Sequence, residues 1–397
     1  MDYVKNIRDP IHGTISLTEL ELKLLDTREM QRLRFIKQNG LCYLVYPAMN
    51  STRFEHSLGA MHIAGLLSDH LELSVEDKKK IRAACLLHDI GHAPFSHATD
   101  EIMAEHNDSH EENSARIIQK TEIADHLEKH GLEPKEIADL IRGKGRLSKI
   151  LCSEIDVDKM DYLVRDSYYA GVAYGTIDLE RLIYGIKLVG DDLVVKRGNL
   201  EAVEFLLISR NLMYETVYRH HTKRIAETMI KNALTHLLKK KLKYQDFLAL
   251  DDVDLSYRMR HAGGYTQEMM KRIDERNLFK AVFQERMILV EETFREDLIQ
   301  KREKIEDKIA KDHGIKKGHL LLDIPETKMP EFRAKVETDE GLKRIDEVSS
   351  LARTLEKSEQ EKITFCIYTP TENNNKLKHF NPEKYIEFAQ TRLGKFI

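Results

Sequence analysis

Among the eighteen histidines of this 397-residue chain, many fall between His56 and His130, and some stand where a carboxylate can join them. The adjacent pair His88-Asp89 ends an amphipathic segment. Consecutive helical side chains diverge by ~100°, so the two can grip one cation from two sides. His56 shares a helical face with Ala60, Ile63 and Leu67, which aims a second imidazole into the core. A third segment, EIDVDKMDYLVRD, carries acids on a helix, where Asp158, Tyr162, Arg165 and Tyr169 follow helical spacing with Asp166 alongside. Spacing does not choose between Asp158 and Asp161. A lone inward histidine is ordinarily a satisfied core residue, but two of them with carboxylates are different. A buried, unpaired carboxylate is costly unless a cation or donors compensate it, so their convergence predicts a metal. The mixed nitrogen and oxygen set suits a divalent Fe, Mn, Mg or Zn with water positions left open.

The elements that must position these groups are mostly helices. From about Leu20 to Leu238 apolar residues recur at three- and four-residue steps punctuated by Gly or Pro. In Glu76 to Asp89, residues Ile81, Ala84, Cys85 and His88 line one face. A short alternating stretch from Leu188 to Arg197, around Gly190-Asp191-Asp192, predicts a hairpin between helices. Beyond Lys239 the composition shifts towards charge. A charged helix from about Val290 to Lys311, strands at His319 to Ile324 and Lys362 to Tyr368, and a last helix near Pro382 to Leu393 are expected there. The fold class predicted is mainly α: a helical bundle with a small β-hairpin over residues 1–240, then a smaller α+β C-terminal region over 241–397 serving oligomerisation or regulation. That second region carries no chemistry-bearing cluster, and no internal repeat or low-complexity tract is visible.

Composition bounds the partners. The 63 Lys plus Arg nearly balance 67 Asp plus Glu, for a formal net charge of -4, so global charge does not indicate a nucleic-acid or membrane partner. Nor does any basic run interleaved with aromatics suggest a single-strand binder. The four scattered cysteines make neither a disulfide framework nor a thiolate zinc site. No apolar run approaches the roughly 20 residues of a membrane span, and the start MDYVKNIRDP lacks a signal-peptide layout, so a cytoplasmic setting is expected.

Taken in order, RFEHSLG, LLHDIGHAPFSH and IDVDKMDYLVRD resemble the successive signatures of the HD phosphohydrolase superfamily, best its deoxynucleoside triphosphate triphosphohydrolase branch. The similarity runs from about Val4 to Leu238 and includes DPIHG, MQRLRFIKQNG and SRNLMYETVY. The resemblance implies His56, His88, Asp89 and Asp158 as metal ligands, since the family's metal aspartate precedes the lysine of the third signature. It implies that His92 and His97 approach the α-phosphate and that Asp100 and His110 assist proton transfer. His106 and His126 match no motif and read as surface histidines. By the same carry-over Arg53, Lys159 and Arg210 contact phosphate, Tyr162, Asp166 and Tyr218 contact sugar or base, and Gln38 reads the sugar 3′-hydroxyl. Asn39 departs from the pattern, standing where the family's usual leucine crowds a 2′-hydroxyl. Lys5, Asp26, Gln31 and Arg34 match a regulatory guanine-nucleotide site, which implies a guanine-nucleotide or dNTP activator and a homo-oligomer, dimer or tetramer. The plainer alternative there is an ion pair between Asp26 and Arg34 on a helix. A further Mg accompanying the triphosphate is also implied.

The activity so implied is metal-dependent hydrolysis of deoxynucleoside triphosphates to deoxynucleoside and inorganic triphosphate, by water attack on the α-phosphorus. Two alternatives stay open. The same site would serve hydrolysis of ribonucleotides, a cyclic dinucleotide or another phosphodiester, or it belongs to a non-catalytic nucleotide sensor or single-stranded nucleic-acid binder.

Overall fold

The computed structural model describes residues 1–325 and 330–389. The chain is mainly helical with small sheets, as expected, and its contacts divide it into two compact units. The first comprises Met1–His220, Leu242–Arg258 and Pro330–Leu355; the second comprises His221–Lys241, Met259–Met329 and Glu356–Ile397. Each unit thus draws on three stretches of chain and does not follow a single cut at residue 240.

In the first unit, strands β1 (Tyr3–Asp9) and β2 (Gly13–Thr18) form an antiparallel hairpin that precedes the helices. The helices Arg53–His70 and Val75–Leu87 pack on each other. Their facing residues Ile63, Leu67, Ile81 and Cys85 are wholly buried, which fulfils the apolar periodicity. Caps fix where these helices begin. Glu55 Oε2 accepts from Thr52 N at 2.7 Å, and Ser74 Oγ accepts from Asp77 N at 3.0 Å. The acidic segment becomes the helix Val157–Ala170, capped by Asp156 Oδ1 on Lys159 N at 2.9 Å. The helix Leu200–Met213 runs into a π-helical turn, Tyr214–Tyr218.

The expected hairpin forms as β3 (Ile186–Val189) and β4 (Asp192–Val195). It does not stand alone. β4 pairs in parallel with a distant strand of the same unit, β7 (Lys335–Thr338), itself antiparallel to β8 (Gly341–Arg344). The second unit holds a three-stranded sheet of β5 (Lys280–Arg286), β6 (Leu321–Asp323) and β9 (Thr364–Thr369), with β9 in the centre. β6 and β9 are the two strands expected there. The single charged helix is instead two, Glu292–Gln300 and Arg302–Asp312, divided at Lys301, whose ψ of 12° leaves the helical range. The expected last helix is a short 3-10 turn, Pro382–Lys384, within the described residues. Its remainder, from Gln390, lies outside them. All four cysteines are free thiols. Among the described residues no helix is long and apolar enough to cross a membrane.

Candidate metal centre and active site

The site is assembled within the first unit from helix ends. His56 sits in the first turn of Arg53–His70, His88 and Asp89 where Val75–Leu87 stops, and Asp158 in the first turn of Val157–Ala170. His56 Nε2 lies 2.8 Å from Asp158 Oδ1, and His88 Nε2 lies 3.3 Å from Asp89 Oδ1 and 3.7 Å from Asp158 Oδ1. Both imidazole nitrogens are buried and out of hydrogen-bond alignment despite this closeness. Their other nitrogens are committed: His88 Nδ1 donates to Cys85 O at 2.7 Å and His56 Nδ1 to Asp161 Oδ2 at 2.8 Å. With Nδ1 the donor, each Nε2 presents its lone pair to the same two carboxylates, the donor set a divalent cation takes. The residues present therefore fit the metal that the resemblance implies. Asp161 stands on the far side of His56, which separates it from Asp158.

The electrostatics agree. Burial alone would lower the His56 imidazole, but hydrogen bonds to Asp158 and Asp161 outweigh it and raise it to about 10, a measure of how strongly the site attracts positive charge. Burial would raise Asp89, but Arg53, His88 and His92 hold it well below the usual carboxylate range. Asp158 is likewise held down against its burial, by His56 and His88.

The turn after Asp89 is held from several sides. Ser114 Oγ donates to His88 O at 2.7 Å, Asn113 Nδ2 to Gly91 O at 2.8 Å, and Arg32 NH2 to the carbonyls of Ile90 and His92, each at 2.8 Å. Beyond it, Phe95 and Ser96 are non-glycine residues with φ of 61° and 48°, a left-handed pair costing about 1–2 kcal/mol each. Asp252 Oδ1 accepts from Phe95 N at 2.7 Å, and Ser96 Oγ donates to Lys37 O at 2.8 Å, so the bend is fixed.

That bend sets the four relay candidates. His92 Nε2 lies 3.3 Å from Asp89 Oδ1, and its ring stacks on His110 at 4.0 Å. Burial, Arg53 and His110 keep His92 well below the ordinary histidine value. His97 is exposed and its Nδ1 lies 3.0 Å from Asp100 Oδ2. Burial would raise Asp100, but His97 outweighs it and holds it down.

Arg53 is fully enclosed. Its NH1 donates to Asp89 Oδ2 at 2.6 Å, its Nε to Ser96 Oγ at 2.9 Å, and its NH2 lies 3.3 Å from His97 Nε2. A second group gathers around Asp166, which accepts from Asn39 Nδ2 at 2.7 Å and from Tyr218 OH at 2.8 Å. Burial pushes the Asp166 carboxyl up to about 6 against those two bonds. Tyr162 meets Tyr218 edge-on at 6.2 Å, and Gln38 keeps a buried amide oxygen without a partner. Arg210 is buried over the Tyr214 ring at 4.1 Å. Lys159 Nζ donates to Ser153 O at 2.9 Å and Asp156 Oδ2 at 3.0 Å, beside a cavity of about 340 Å³ lined also by His88, His110, Asp158 and Lys149.

The regulatory candidates do not form one cluster. Gln31 Oε1 accepts from Arg34 Nε at 2.8 Å, and Arg34 stacks on Phe54 at 3.6 Å. Lys5 and Asp26 are exposed. Among the described residues Asp26 makes no ion pair, so the plain alternative of an Asp26–Arg34 pair does not form. His106 is exposed and stacks on Tyr244 at 4.0 Å, while His126 is half-buried rather than at the surface. The sequence reading missed Asp9, His12, Arg32, Ser96, Ser114 and Asp252, all of which act through partners distant in the chain. A signal existed for Asp161. Gly59 sits mid-helix, where a Cβ would meet Asp161 Oδ1 at 1.8 Å, and a glycine in a helix interior marks such a close approach.

A metal-liganding HD turn on a helical scaffold defines the class. An HD-domain family model matches residues 53–166, and the model of the HD-associated region matches residues 177–393. The chain belongs to the HD-domain phosphohydrolase family. It is 39% identical over 393 residues to an uncharacterized protein of Methanocaldococcus jannaschii, covering 96% of this chain and 83% of that one. It is 29% identical to the deoxynucleoside triphosphate triphosphohydrolase SAMHD1 of Homo sapiens, covering 98% of this chain and 70% of that one. Its structure is similar, with a TM-score of 0.78 and 31% identity, to that of a hypothetical protein from Aquifex aeolicus, over 94% of this chain and 99% of that one.

Proposed function

We propose that this chain hydrolyses deoxynucleoside triphosphates to deoxynucleoside and inorganic triphosphate. The observation that carries the reading is the facing pair of buried, unpartnered nitrogens, His56 Nε2 and His88 Nε2, beside Asp89 and Asp158. Similarity to the human triphosphohydrolase along nearly the whole chain supports the substrate class. A divalent ion held by these four residues, Mn, Fe, Mg or Zn, supplies acidified water and stabilises charge on the phosphoryl oxygens.

The protein's own groups do the rest. Arg53, enclosed and fixed by Asp89 and Ser96, places a permanent cation where the α-phosphate oxygens would lie. Water oxygen bonds to the α-phosphorus as the bond to the nucleoside 5′-oxygen breaks. His97, oriented by Asp100, donates a proton to that departing oxygen. His92, kept neutral, accepts rather than adds charge. Asp166, Tyr218, Tyr162 and Gln38 bind the sugar and base, and Arg210 and Lys159 the phosphate chain. A further Mg arrives with the nucleotide. The resemblance also supports a homo-oligomer activated by a guanine nucleotide or dNTP through Lys5, Asp26, Gln31 and Arg34.

A second reading rests on Asn39. Its amide donates to Asp166 inside the candidate sugar pocket, which places a polar group where a 2′-hydroxyl would be read, so ribonucleotides are the competing substrates. Product identification on all four deoxynucleoside and ribonucleoside triphosphates, with Mn²⁺ and with or without GTP, tests both. Nucleoside plus triphosphate is expected. Release of monophosphate or diphosphate sinks the reaction proposed. Binding without turnover, unaltered by His88→Ala, would favour a sensor.

A further inference from the structure

The DPIHG turn between β1 and β2 has no part in the proposed reaction, yet it reaches the back of the metal centre. We infer that His12, on this turn, is a positioning residue that holds the His56 ring through Asp161. The inference rests on the metal reading of His56.

Asp161 is wholly buried and its acceptor positions are filled. Oδ1 takes His12 Nε2 at 2.6 Å and Arg165 NH2 at 2.9 Å. Oδ2 takes Arg165 Nε at 2.9 Å and His56 Nδ1 at 2.8 Å. Burial would push this carboxyl up, but Arg165, His12 and His56 hold it well below its ordinary range, so it is an anion. An anionic acceptor on Nδ1 fixes the tautomer of His56 and makes its Nε2 a better electron donor.

Arg165 alone does not fix the carboxylate. Both of its donors approach from the same side, along its own helix, four residues on. His12 comes from a different element and closes the opposite approach. The turn that carries it is itself fastened. Asp9 Oδ1 accepts from Ile11 N at 2.9 Å and His12 N at 2.8 Å, while its Oδ2 accepts from Arg165 NH1 at 2.9 Å. Gly13, with φ of 73°, completes the bend at a conformation that disfavours side chains. Asp9, His12, Asp161, Arg165 and His56 are thus one hydrogen-bonded chain, and Gly59 leaves the space that lets Asp161 reach it.

The test is Mn²⁺ affinity of the purified full chain by equilibrium dialysis, with the visible absorption of the Co²⁺-loaded protein as a second readout. His12→Ala is expected to weaken Mn²⁺ binding about ten- to hundredfold and to shift the Co²⁺ bands. His12→Gln, whose amide N–H can reach the same oxygen, restores most of both. His12→Phe, which keeps ring bulk without a donor, serves where His12→Ala does not fold, with the same loss expected. Arg82→Met removes a different buried tie, that of Arg82 to Glu21 and to Ser16 O of β2. It is expected to lower Tm and leave both metal readouts unchanged. Donor-free variants that bind Mn²⁺ like wild type with an unshifted Co²⁺ spectrum overturn the role of His12 alone. Wild-type protein that takes up neither ion overturns the metal reading beneath it.

Discussion

Both compact units bury charge, and they do so to opposite ends. In the second unit Asp323 Oδ2 accepts from Arg224 Nε and from Tyr368 OH, each at 2.8 Å, and Arg224 NH2 donates onward to Thr364 O at 2.8 Å. Those groups answer one another, as a network that only holds a fold should. In the first unit His56 Nε2, His88 Nε2, His92 Nδ1 and Asp100 Oδ1 are buried without hydrogen-bond partners, although opposite charges stand nearby. Leaving such groups unmet costs about 1–3 kcal/mol each. A fold retains that cost where something else meets the groups, so the difference lies in what each cluster leaves open, not in how much charge it buries.

The largest effect should come from the open cluster. His88→Ala or Asp89→Ala is expected to abolish nucleotide turnover and high-affinity Mn²⁺ uptake together; turnover at wild-type rate would remove the contrast. His97→Ala should cut kcat about 10² to 10⁴-fold with Mn²⁺ affinity unchanged, as removal of a general acid does, checked by steady-state kinetics. The closed cluster should answer in stability instead. Asp323→Ala strands a buried guanidinium and is expected to cost about 3–5 kcal/mol in urea denaturation, again leaving Mn²⁺ affinity intact.

A milder probe of the second unit is Glu306, whose Oε1 accepts from Leu322 N at 2.7 Å. Burial raises its carboxyl from 4.5 to about 7, against that bond. The folded state therefore binds the proton more tightly, and stability should fall as pH rises from about 4.5 to about 7, then level. Glu306→Gln should flatten that slope, worth at most ~3 kcal/mol; an unchanged slope would refute the assignment. The smallest effect expected is that of Asn39→Leu, which should raise the preference for deoxyribose over ribose by roughly tenfold in kcat/KM.

Much of the open cluster was legible in the sequence because its members sit at helix ends in short motifs. His88-Asp89 follows an apolar face, and His56 shares one with Ile63 and Leu67. The choice of Asp158 over Asp161 was not legible from spacing, since both lie on one helix three residues apart; it came from resemblance, and the structure puts the two on opposite sides of His56. Strands β1 and β7 escaped for different reasons. β1 is exposed along most of its length, so no alternation of apolar and polar residues marks it. The pairing of β7 with β4 joins segments about 140 residues apart, and no local periodicity carries such a contact. The helix break at Lys301 has neither Gly nor Pro to announce it.

The π-helical turn Tyr214–Tyr218 adds a consequence for anyone altering this protein. A π-turn accommodates one residue more than the α-helix around it, so its length sets the angular phase of the residues that come after it. Removing a single residue there would restore ordinary winding and swing Tyr218 by ~100°, away from Asp166. Most point changes in this stretch would be absorbed locally, whereas a one-residue deletion would rewrite the sugar pocket. Chimeras and trimmed variants should keep its residue count before they keep its composition.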